Sequence, residues 1–186
     1  MSAQAEQLAA ALRAAIELRP GESLYGVVDA AQDEGQLAFE AQRRFGVQIR
    51  MLFHGEAAQY MGHVAPWLVP IDPDGGYLEC WAERWGKNPG ILLTSAAPPE
   101  KLFRHLREIF VVKDEGGQEY FFRYYDPRVL RVYLPTCTPS DSLGFFGSVC
   151  SILFEAESRE HAIRFSKTPD ALRQEIIRVG SLKLAR

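Results

Sequence analysis

The chain has 186 residues, 47% hydrophobic and 24% charged, with a formal net charge of -3. That size and balance allow one sizeable core, or one core with a small subdomain. A chain so near neutral lacks the general basic field that nucleic-acid binding draws on. Cys80, Cys137 and Cys150 show no CxxC spacing, which suits free thiols in a reducing compartment. No stretch approaches the run of about 20 apolar residues that spans a bilayer, and the first residues lack a signal-peptide core. The expectation is a cytoplasmic protein with neither nucleic acid nor membrane as partner.

In chain order, Leu8, Leu12 and Ile16 put a narrow apolar stripe on a first helix, ended by Pro20 and Gly21. "LYGVVDA" (Leu24 to Ala30) is an apolar strand. Asp33 then caps a helix running to Phe45, closed by Gly46. "VQIRMLF" is a second strand and "GEAAQYMGHV" a short helix. "APWLVPI" is a third strand, which Pro66 and Pro70 push toward a sheet edge. "YLECWAERWG" repeats Tyr77, Trp81 and Trp85 at helical spacing, and "GILLTS" is an apolar strand. Pro98 to Phe110 is the clearest helix, buried through Leu102, Leu106, Ile109 and Phe110.

Val111 to Tyr125 is a β-hairpin turning at Glu115-Gly116-Gly117. A helix over Pro127 to Tyr133, a turn-rich "PTCTPSDSLGFFG", a strand over Ser148 to Glu157 and a helix over Pro169 to Arg178 complete the reading. Strand-helix alternation predicts an α/β (α+β) fold with parallel neighbours in a mixed central sheet, helices packed on it, and an antiparallel hairpin in the second half. One domain spans 1–157, and 158–186 is a C-terminal extension, packed on that domain or specific to a partner.

Several chemistries leave no trace. There is no GxGxxG after a strand, no GxxxxGK[ST] and no GxSxG. His54, His63, His105 and His161 are scattered without metal-ligand spacing, so no metal and no cofactor is expected. His105 falls on the charged side of its helix and reads as a solvated surface group. Cys80 and Cys150 read as buried small hydrophobes. Asp29 ends a strand, a position that catalytic carboxylates favour, but a cap for the following "AAQDEGQ" is the better reading.

"EYFFRYYDPRVLRVYLP" (Glu119 to Pro135) crowds aromatics, arginines and an Asp-Pro break together. Pro127 suits the first helical position and Asp126 its N-cap. Asp126 should then face Arg123 or Arg128 and fix a corner between strand and helix. Trp67, Trp81 and Trp85 read as core aromatics, although Trp67 and Tyr60 also count among candidate partner-contacting residues. Phe145 and Phe146, adjacent and flanked by glycines, join them, because two neighbours do not both point inward easily.

"LYGVVDAAQD", "APWLVPI", "KLFRHLREIFVVKDEGGQEYFFRYYDPRVLRVYLP" and "FFGSV", in that order, resemble the landmarks of the type VI secretion effector chaperones. These are bacterial adaptors built on a domain first catalogued as of unknown function. The resemblance covers Leu24 to Glu157. It implies a non-enzymatic protein that holds one cognate effector in the cytoplasm and helps load it onto the valine-glycine-repeat (VgrG) spike or its PAAR tip. Arg123, Asp126, Pro127 and Arg128 match the family's Arg-aromatic-aromatic-Asp-Pro-Arg signature, and Asp29 its early Val-Asp landmark. The resemblance makes them fold-defining positions. The alternative is a small intracellular hydrolase or transferase using Asp29 and Asp126 with a histidine.

Overall fold

The computed structural model describes residues 2–113 and 116–180. The first helix, α1 (Ala3–Ile16), is capped by the Ser2 hydroxyl, which accepts from the Ala5 amide. Next come β1 (Ser23–Asp29), α2 (Ala30–Asp33), α3 (Gln36–Phe45), β2 (Arg50–Met51), α4 (Gly55–Met61) and β3 (Pro66–Ile71). Then follow α5 (Tyr77–Ala82), β4 (Gly90–Ser95), α6 (Pro99–Glu108), β5 (Val111–Lys113) and β6 (Glu119–Phe121). The chain continues through α7 (Pro127–Tyr133), α8 (Pro139–Phe146), β7 (Ser151–Glu155), β8 (His161–Lys167) and β9 (Leu172–Arg178).

Seven strands form one sheet in the order β2-β3-β1-β4-β7-β8-β9, and β5-β6 stand apart as a two-stranded hairpin. Alternation along β1 sorts side chains to two sides. Leu24 and Val28 face a core with Leu12, Leu37, Leu78 and Trp81, from α1, α3 and α5. Tyr25 and Val27 face a second core with Leu102, Leu106, Leu130 and Phe146, from α6, α7 and α8. The sheet is therefore sandwiched between two helical layers.

The expected fold, helices packed on a central sheet with an antiparallel hairpin, is borne out. The expected parallel neighbours are not: every strand pairing among the described residues is antiparallel. The uniformly apolar strands misled here. Such runs mark a sheet covered on both faces, which is usual for parallel sheets, but two helical layers impose the same pattern on antiparallel strands. β4 is buried at every position for that reason.

Other expectations need correction. Asp33 does not open one long helix. It ends α2, Glu34 and Gly35 turn with positive φ, and the Asp33 carboxylate accepts from the Leu37 amide inside α3. β3 is second from the edge, with only the two-residue β2 outside it. β2 pairs with Leu68 and Trp67, so neither proline has to supply an amide in that ladder. The turn-rich stretch contains α8, started by Thr138, whose side chain accepts from the Asp141 amide, and by Pro139. The last predicted helix is β9. Leu, Arg, Gln and Glu favour a helix locally, but pairing along all seven residues with β8 outweighs that preference. The hairpin's predicted turn includes Glu115, which lies outside the described residues.

Residues 161–178 thus extend the same sheet that begins at β1. The buried Arg164 of β8 ties this edge of the sheet to the end of α1. It donates to the Ala15 carbonyl at the end of α1 (2.8 Å) and pairs with Glu17 (2.9 Å) and with Glu175 of β9 (2.7 Å). These partners satisfy a guanidinium that burial would otherwise penalise.

Candidate functional site

The signature residues meet where β1 ends. Asp29, buried at that end, accepts from the Ala31 amide (3.1 Å) and from the Gln32 side chain (3.1 Å). It is therefore the cap of α2 that the sequence suggested. The same carboxylate accepts from the Arg123 guanidinium at 2.9 Å, across 94 residues of chain. Arg123 follows the β6 strand, and its guanidinium also lies 3.6 Å from the Asp126 carboxylate.

Asp126 in turn caps α7. Its Oδ1 accepts from the Arg128 amide (3.0 Å) and Nε (2.9 Å), and Oδ2 from Arg128 Nη2 (2.8 Å). Pro127 occupies the first helical position, where no amide donor is needed. Burial raises the Asp126 pKa, but hydrogen bonds from the Arg128 side chain and backbone, with the charges of Arg128 and Arg123, outweigh it and hold the carboxyl below its usual range.

Two capping carboxylates and two arginines therefore lock the start of α2, the hairpin exit and the start of α7 into one corner. The sequence located the Asp126 corner and set Asp29 beside it only as a second landmark; the Asp29–Arg123 pairing went unread, because it exists only once β1 and the hairpin exit are folded together. Asp126→Ala should cost about 1–2 kcal/mol in urea unfolding. Arg128→Ala should cost much less, since its exposed guanidinium returns to water. Equal losses from the two variants would show that the cap contributes little.

Most aromatics of the opening stretch are core. Tyr124 and Tyr125 are buried, and the Tyr124 hydroxyl donates to the Leu106 carbonyl. Phe122 packs at a tilt against Tyr133 and edge-on against Phe145. Burial, then the Asp29 charge, pushes the Tyr125 hydroxyl up to about 12.

Phe145 and Phe146 are 7% and 0% exposed, so the expectation that one of them faces solvent fails. They sit on α8, which is flanked by the sheet on one side and by the Phe122 and Tyr133 rings on the other, and neighbouring helical residues can both be covered there. Trp67 is half-buried against Phe39, whereas Tyr60 on α4 is 76% exposed. His105 is not a solvated group either: its ring hydrogen-bonds the Phe145 carbonyl and packs over Gly147. Among the described residues, neither Asp29 nor Asp126 hydrogen-bonds a histidine, and no cluster of three or more His, Cys, Asp or Glu is placed to hold a metal.

The family model for a domain of unknown function, DUF4123, matches residues 24–142, 119 of the 186 residues. The chain belongs to the DUF4123 family. No curated protein and no solved structure matches it.

Beside the corner, this DUF4123 protein exposes apolar surface. Phe121 (61%), Tyr120, Val111 and Val112 are exposed on the β5-β6 hairpin. Two open apolar grooves, of about 270 and 250 Å³, lie under that hairpin and share Phe53, Phe110 and Phe121 as walls. Arg123 stands at one end, and His54 at the other. His54 also borders a polar trough of about 390 Å³ lined by Arg50, Glu100, Arg104 and Arg107. Sequence reasoning missed these grooves. It treated the hairpin as part of a covered sheet, whereas β5 and β6 pair only with each other and leave one apolar side unlayered.

Proposed function

We propose that this chain is a non-enzymatic binding protein: a cytoplasmic chaperone or adaptor that holds a cognate type VI secretion effector and helps load it onto a VgrG or PAAR spike protein. The observation that carries this reading is the division of labour at the signature corner. Its charged residues are engaged with one another and with helix ends, while the neighbouring hairpin offers exposed aromatic and aliphatic side chains. Exposed apolar surface rimmed by charge suits protein recognition. The resemblance of the "RYYDPRVL" run to effector chaperones supplies the partner class. A hydrolase or transferase built on Asp29 and Asp126 finds less support, because both carboxylates are occupied by arginine and backbone donors.

The test is co-expression with the products of adjacent genes. The expected result is that one effector copurifies with this chain and becomes more soluble in its presence. A well-folded chain that retains no such partner would overturn the reading, as would turnover that Asp29→Asn abolishes without loss of stability.

A further inference from the structure

We infer that the twin grooves under the β5-β6 hairpin bind a polypeptide segment carrying two bulky apolar side chains flanked on one side by an acidic residue. The inference rests on the chaperone reading for its partner class and adds the surface and its chemistry. Each groove, at about 270 and 250 Å³, falls below the range of about 300–1,000 Å³ usual for an enclosed small-molecule site. The shared walls Phe53, Phe110 and Phe121 divide them. Two shallow apolar grooves side by side match the spaced anchors of a bound peptide.

Charge places the acidic residue at one end of the grooves. Past His54 the surface turns basic. Arg50 lies over the Phe103 ring at 3.6 Å, and Arg107 approaches the same ring at 5.4 Å. Arg104 is exposed between them in sequence, on the same trough. Glu100 accepts two bonds from Arg50, at 2.6 and 3.0 Å, which leaves Arg104 and Arg107 against the single carboxylate of Glu108 in the trough; Glu56 lines the second groove beside His54, before the trough begins. Arg107 lines the same trough as Arg104, so a carboxylate entering there meets two guanidinium groups. At the opposite end Arg123 is already held by Asp29, so the acidic residue belongs at the His54 end.

The probe is a displayed library of random peptides selected on the purified full-length chain, with the enriched peptides then measured against variants. The expected result is enrichment of peptides with two apolar residues and a flanking Asp or Glu. Phe121→Asp should weaken them at least tenfold, roughly the loss of one anchor. Arg104→Glu should weaken only the acidic peptides, by about two- to fivefold, and less so in high salt. Val132→Asp, an exposed change on α7 outside the grooves, should leave binding intact. Thermal melting of each variant confirms folding.

Failure to enrich peptides, enrichment without the apolar pair, or binding indifferent to Phe121→Asp would each overturn the inference. So would a dimer, seen by light scattering, that Phe121→Asp dissolves, since the occupant would then be a second copy. The two readings separate cleanly. An effector held equally well by Phe121→Asp keeps the chaperone and removes the groove. Peptides selected by a chain that holds no effector keep the groove and remove the chaperone.

Discussion

Gly90→Ala should be the most damaging small substitution in this protein. Gly90 opens β4 opposite Val28 with φ of 140°, a left-handed region where side chains are strained. An added Cβ would fall 2.0 Å from the Val27 carbonyl oxygen and 3.0 Å from its carbon. Both atoms are backbone of β1 in the middle of the sheet, so neither can swing aside as a side chain would. Strain and overpacking together should cost on the order of 4 kcal/mol. For a chain of this size that lowers the melting temperature by roughly 10 °C. The damage should also reach the signature corner, because the Asp29 amide donates to the Pro89 carbonyl immediately before Gly90. A variant that melts within about 2 °C of the parent would contradict this account.

The second large effect is with pH. Glu155 ends β7, buried, with its carboxylate accepting from the Gly86 amide (2.8 Å) and the Asn88 amide (3.2 Å). Burial raises its pKa, and the two amides with Arg131 and Arg159 offset this only in part, so that it reaches about 7 instead of 4.5. The folded state therefore keeps a proton that the unfolded chain has already lost between those values. Stability from this group is full below about pH 4.5 and is lost as pH rises through about 7. At 1.36 kcal/mol per pH unit the loss is on the order of 3 kcal/mol. Urea unfolding at a series of pH values should show stability falling from mildly acidic to mildly alkaline solution. In Glu155→Gln the fall should flatten. A parent and variant with the same slope would assign the dependence to other groups.

The elements that sequence reasoning placed well carry their signals locally. Pro127 after Asp126, and Gly46 after Phe45, are each read from two or three neighbouring residues, and the structure uses them as a first helical position and a helix end. What went unread depends on residues far apart. Asp29 finds Arg123 across 94 positions. Phe145 and Phe146 are both covered because the hairpin and α7 lie over α8. β9 is a strand because β8 offers an edge. The candidate binding grooves depend on something subtler still. Val111, Val112 and Phe121 are ordinary strand residues, and only the separation of their hairpin from the main sheet leaves them exposed.

The Arg164 tie has a bearing on how the protein can be divided. The family match stops at residue 142, within α8 and before β7, β8 and β9. Yet β7 covers one side of β4, and Arg164 fastens the last strands to the end of α1, ahead of where the match begins. A chain trimmed to the matched segment would bare the β4 edge, whose side chains are wholly apolar from Ile91 to Leu93. An unprotected edge of that kind recruits strands from other chains. The matched segment thus omits strands and a tie that cover its own sheet: the flanks act as its lid and its clasp, and removing them would open the β4 edge to strands of other chains.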